Sequence, residues 1–119
     1  MSTVAVGRSA EAIAAGALES AGFDILWRNR RFGPLELDIV ARRNELVVIA
    51  EVRFRGAGAF EGPLASMTHT KRRTLLRASR ALWATLRQDR SIRRLRIDVF
   101  AITGEKVEWI EGALTADDA

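Results

Sequence analysis

The chain contains no cysteine, which excludes disulfide bonds, thiolate zinc sites and a cysteine nucleophile at once. Histidine is almost as scarce. His69 stands alone, so a multi-histidine metal centre cannot be built from this chain. Any bound metal would rest on oxygen ligands, which select magnesium, manganese or calcium. No uninterrupted apolar run approaches the roughly 20 residues of a membrane span. Glu11 and Glu19 interrupt the alanine-rich N-terminal stretch, which speaks against a signal peptide. From these absences a soluble, cytoplasmic protein with no membrane partner is expected. Internal repeats and low-complexity tracts are also missing.

The 119 residues are 48% hydrophobic, enough for one core. A single domain over 1–112 is expected, with a frayed tail over 113–119. The net charge of +4 is modest, but it is unevenly spread. Residues 71–96 carry ten basic side chains against one acid, Asp89, a net +9 that leaves −5 for the rest. Segregation of this kind suits a polyanionic partner.

The periodicity predicts a helix over 9–21 capped by Ser9 and stopped at Gly22. Ala10, Ile13, Ala14, Ala17, Leu18 and Ala21 form its buried stripe, and Glu11 lies at the edge of that stripe. A short strand over 23–27 and a basic turn over 28–34 follow. Strong strands are expected over 35–42 and 46–54, then a mobile glycine-containing loop over 56–70. A second helix is expected over 71–87, and strands over 93–102 and 106–110 flank a turn at Thr103-Gly104. The tail is expected to loosen from Gly112 onward.

The hairpin carries the chemistry. Side chains alternate along a strand, so Glu36 and Asp38 share one face, as do Glu51 and Arg53. With the turn centred on Arg43-Asn44, Ile49 would oppose Asp38, and Glu51 would be its diagonal neighbour at roughly 7–8 Å. Two carboxylates on adjacent strands can close on one divalent cation, and the Val52 carbonyl offers a further oxygen. A divalent ion neutralises phosphate charge and activates water, the two needs of phosphodiester hydrolysis. The bland alternative is a set of exposed, salt-bridged side chains. Four ionisable residues on otherwise apolar strands weigh against it, because burying such groups is costly unless they are paired or metal-bound.

The second constellation is the basic helix. Arg73, Arg77, Arg80 and Arg87 fall within an arc of roughly 80° on one face, opposite Leu75, Ala78, Leu82 and Leu86. Guanidinium groups grip phosphate without reading sequence. Arg28 and Arg30 beside Trp27 form a smaller basic cluster, in which Trp27 is expected to cover the end of the sheet. Lys71 falls on the apolar side of its helix and is expected to snorkel outward. His69, Trp83 and Trp109 are given no chemical role.

Several segments together carry a family resemblance. Arg28-Asn29-Arg30, then Glu36-Leu37-Asp38-Ile39-Val40, then Ala50-Glu51-Val52-Arg53-Phe54-Arg55, and finally Arg96-Ile97-Asp98-Val99 resemble the YraN-like uncharacterised family. That family is similar to Holliday-junction resolvases and to the PD-(D/E)xK nucleases. The resemblance implies an α/β fold with the restriction-endonuclease-like αβββαβ core, a mixed central sheet flanked by helices. It also implies a Mg2+- or Mn2+-dependent endonuclease acting on DNA, branched DNA included, with homodimers common among junction enzymes. Asp38 and Glu51 would hold the metal. Glu36 and Glu11 would assist, Glu11 matching a glutamate on the family's first helix. Lys71 matches a lysine that opens a later helix. Arg53 stands where the family carries lysine; it supplies charge and donors but cannot act as a base. That departure keeps a second reading open, a nucleic-acid-binding module without catalysis. A third is a protein-interaction domain whose arginines meet an acidic partner.

Overall fold

A computed structural model describes residues 3–55, 62, 64–65 and 67–115, with the side chains of residues 3–8 left aside. The elements are α1 (Thr3–Ser20), β1 (Asp24–Phe32), β2 (Leu35–Arg43), β3 (Leu46–Phe54), α2 (His69–Leu86), β4 (Arg94–Thr103) and β5 (Lys106–Ile110). The five strands lie side by side in chain order. All neighbours are antiparallel except β3 and β4, which run parallel because α2 carries the chain across between them. This is the expected αβββαβ order with one further strand.

The helices cover opposite faces of the sheet. Helix α1 presents Ala10, Ala14, Ala15 and Leu18 to Ile39, Ala41, Val48, Ala50 and Phe100. Its small side chains let the backbone lie close to the strands. The stripe is rotated from the expected one: Ala15 is buried, and Ile13 is 38% exposed. The helix also begins at Thr3 rather than at Ser9. Its end follows the sequence. Gly22 adopts φ 90°, Phe23 N donates to Leu18 O (3.0 Å), and Gly22 N donates to Glu19 O (3.0 Å), a Schellman closure. On the other face, α2 buries Leu75, Ala78, Leu82 and Leu86 against Val40, Val47, Ile49 and Val99. Thr68 caps it by accepting from Lys71 N at 3.1 Å, so His69 and Thr70 already belong to the helix. The expected loop over 56–70 otherwise lies largely outside the described residues.

Four expectations are corrected. Residues 28–32 are strand, not turn: Arg28 pairs with Ile39, Arg30 with Leu37 and Phe32 with Leu35. Their charge reflects an edge strand with a wet side, and the turn itself is Gly33-Pro34, with Gly33 at φ 59°. The β2–β3 register is also different. Arg43 pairs with Leu46 around Asn44-Glu45, and Ile39 pairs with Ala50. Asn44 takes φ 53°, which moves the turn one residue from the expected centre. The β4–β5 turn likewise sits at Gly104-Glu105, with Thr103 paired to Lys106. Finally, residues 112–115 are docked rather than frayed. Leu114 is buried in the α2-side core, and Ala113 N donates to Ile97 O at 2.8 Å.

Asp98 secures that docking. It is fully buried and accepts from Arg96 Nε (2.8 Å) and Nη2 (2.9 Å), Trp109 Nε1 (2.8 Å) and Gly112 N (2.9 Å). A buried carboxylate satisfied on every side holds β4, β5 and the segment after β5 together. Among the described residues no helix is long and apolar enough to cross a membrane.

Candidate functional site

The corrected register changes the site. Pairing of β2 with β3 ends at Ile39 and Ala50, so the next two residues outward, Asp38 and Glu51, face each other rather than sitting on a diagonal. There the strands part, and a side chain replaces the ladder: Val52 N donates to Asp38 Oδ2 at 2.8 Å. Glu51 is 4% exposed, and its Oε2 is buried with no hydrogen-bond partner. Lys71, on the first turn of α2, lies with Nζ 3.4 Å from Glu51 Oε1. The lysine therefore reaches inward and does not snorkel. The buried acid beneath it supplies the reason.

Two acids facing one another cannot both be charged freely in a partly dry pocket. Burial, then the charge of Glu51, push the Asp38 carboxyl from 3.8 up to about 7; the Val52 N–H and the Lys71 ammonium work in the opposite direction. A second acid from α1 approaches from the other face. The carboxyl of Glu11 is raised by burial and by Asp38, while Asn29 and Arg28 pull it down.

Asn29 is the residue that sequence reasoning passed over. With its amide nitrogen turned toward the acids, it donates to Glu36 Oε1 (3.1 Å) and Glu11 Oε1 (3.2 Å). It does so from φ 54°, a conformation that asparagine tolerates better than most residues. An asparagine inside a strand-like basic run was the available signal. Asp38, Glu51 and Lys71 thus meet at the parting of β2 from β3, while Asn29 joins Glu36 to Glu11 beside them. Arg53 lies two residues beyond Glu51 on the same strand face, half-buried.

The basic residues divide. Arg28 is exposed near Glu11. Arg30 stacks its guanidinium 4.1 Å from the Trp27 ring and 5.3 Å from that of Phe32, while Trp27 packs against the α2-side core. Arg73, Arg77, Arg80 and Arg87 are all exposed on or at the end of α2. Arg87 is the C-cap, about 24 Å along the helix from Lys71 at 1.5 Å per residue. It marks the far end of a track and does not share a phosphate with the acidic pair.

The donor set is hard oxygen, suited to Mg2+ or Mn2+. One divalent cation would satisfy the orphaned Glu51 Oε2 and offset the repulsion within the Asp38–Glu51 pair, so these two residues fit such an ion. Among the described residues no three acids converge as a ready-made cage. The remaining ligands would come from water, backbone and substrate.

A five-stranded mixed sheet between two helices, with carboxylates where the second and third strands separate, defines an α/β protein with an αβββαβ core. The pattern of the Uncharacterised protein family UPF0102 matches residues 10–102, and the chain belongs to that family. It is 39% identical over 118 residues to a UPF0102 protein of Serratia proteamaculans (strain 568), covering 98% of this chain and 100% of that one. The UPF0102 protein YraN of Salmonella agona (strain SL483) is 38% identical over 109 residues, covering 90% of this chain and 82% of its own. Among solved structures, an XisH family protein from Nostoc punctiforme aligns with TM-score 0.45 at 16% identity, over 85% of this chain and 98% of that chain. An fdxN element excision controlling factor protein from Anabaena variabilis aligns with TM-score 0.45 at 15% identity, over 85% and 97%.

Proposed function

We propose that the protein is a divalent-metal-dependent endonuclease that hydrolyses phosphodiester bonds in DNA, branched DNA included. The observation that carries this reading is the facing Asp38–Glu51 pair, Asp38 half-buried and Glu51 buried, with one Glu51 oxygen unpartnered and a lysine ammonium at its edge. Asp38 and Glu51 would hold Mg2+ or Mn2+. Bound there, the ion would supply charge neutralisation at the phosphate and a water more acidic than bulk water.

The chain's own groups do the rest. Lys71 offsets the charge of Glu51 and presents a cation with donors to an incoming phosphate. In this role it stands in part for the lysine that Arg53 replaces, and Arg53 adds a permanently charged group on the same face. Asn29 ties Glu11 of α1 to Glu36 of β2, while the Val52 N–H holds Asp38. The arginines of α2 hold the flanking backbone.

Arg53 also favours a second reading, in which the site binds an ion and nucleic acid without turnover. One assay separates the two: nicking of a four-way junction and of a linear duplex in Mg2+, Mn2+ and EDTA. Catalysis predicts Mn2+-supported nicking that Asp38→Ala abolishes and Arg53→Lys increases. Activity that persists in Asp38→Ala would remove the site; binding without any nicking in either wild type or Arg53→Lys would leave the second reading.

A further inference from the structure

Between the Gly33-Pro34 turn and α2 lies a groove of about 200 Å³ that the acidic site does not use. Phe32 and Pro34 line one side, Ala78 and Ala81 the other, and Thr74 and Arg77 stand at the α2 rim. Its walls are apolar, yet its surroundings are cationic. Arg30 rests 5.3 Å from the Phe32 ring centre. Arg73 and Arg80 are exposed on the same helix as Arg77, and that helix contains no acidic residue. Glu36, the nearest acid along β2, turns the other way, toward Asn29 and Glu11.

Position along the chain gives the groove its meaning. Both of its walls lead to the acidic pair. Leu35, at its base, is three residues before Asp38, about 10 Å along a strand. Thr74 is three residues after Lys71, about 4.5 Å along the helix. An apolar groove beside guanidinium groups, one nucleotide's reach from the acidic pair, matches an unstacked base whose phosphates lie on the arginines. We infer that this groove binds an unpaired nucleobase, so that the protein prefers DNA with single-stranded character over closed duplex. The inference rests on the nucleic-acid reading above and extends it to a substrate class. An apolar side chain of a protein partner is the competing occupant.

Binding in EDTA isolates the groove from catalysis. Fluorescence anisotropy would compare a labelled single-stranded oligothymidine, a blunt duplex of equal length and a duplex carrying a short unpaired flap. The wild type is expected to hold the single strand and the flap about tenfold more tightly than the blunt duplex. Ala81→Leu fills the groove from an exposed helical position, and Phe32→Leu keeps the apolar packing while removing the ring. Each is expected to weaken single-strand binding at least about fivefold and leave duplex binding unchanged. Arg77→Gln is expected to weaken all three. Equal affinity for single strand and duplex, or groove variants that bind like wild type, overturns the inference. If the blunt duplex is nicked under those circumstances, the nuclease reading survives without it; if no probe binds and none is cut, both fall.

Discussion

Replacing Asp38 by asparagine should stabilise the metal-free protein, and increasingly so as pH rises. The Asp38 carboxyl is held at about 7, against an ordinary 3.8, by burial and by Glu51. Between those two values the folded chain keeps a proton that the unfolded chain has lost. The unfolded state therefore binds fewer protons, and stability falls as pH climbs from about 4 to about 7, then levels off. A rise of about three pH steps at about 1.4 kcal/mol each sets the upper limit near 4 kcal/mol. Asparagine is neutral throughout. It preserves the acceptor for Val52 N–H and offers Glu51 a donor. In EDTA, urea unfolding followed by tryptophan fluorescence should give similar stabilities for wild type and Asp38→Asn at pH 4.5. At pH 8 the variant should lead by about 2–4 kcal/mol, a Tm gain of about 3–5 °C per kcal/mol. Saturating Mn2+ should reverse the order, because only the wild type gains from binding. A stability difference that does not change with pH, or a variant weaker than wild type at pH 8, would refute the electrostatic argument.

Other perturbations test other parts of the molecule. Lys71→Met should raise the Asp38 pKa further, visible in the pH dependence of unfolding, and reduce any Mn2+-supported nicking about a hundredfold; unchanged nicking would remove Lys71 from the site. Asp98→Ala should destabilise by about 3–5 kcal/mol in urea, since it removes the bidentate partner of the half-buried Arg96 and releases Trp109 and Gly112; a loss below about 1 kcal/mol would contradict the bonding described. Replacing Arg73, Arg77 and Arg80 together by glutamine should lower the slope of log affinity against log salt by about 2.7 for DNA with little change in Tm, and an unaltered slope would take α2 off the DNA.

Much of this fold could be read from residue spacing, because its strongest elements carry strong local signals. The apolar stripe of α2, the stop at Gly22 and the two central strands follow from periodicity and a glycine at positive φ. The basic run before Pro34 misled because charge on a wet edge strand looks like charge in a turn; only pairing with β2 distinguishes them. The hairpin register hung on a single residue, Asn44, whose left-handed conformation moved the turn by one and brought Asp38 and Glu51 from a diagonal to a facing position. Lys71 was misjudged for a different reason. Helical phase placed it on the apolar side, but whether a lysine turns outward or inward depends on a buried acid from another element. The Asn29 bracket between Glu11 and Glu36, and the closure of Asp98 on Gly112, join residues far apart in sequence, so their partners could not be read from local spacing.

The most direct test of the site is anomalous scattering from crystals soaked with manganese near pH 8, above the Asp38 pKa of about 7. A shared cation predicts a single peak at ligand distance from both Asp38 and Glu51, absent from Asp38→Asn crystals treated alike. No peak between these carboxylates, or an equal peak in the variant, would contradict a metal held by the pair.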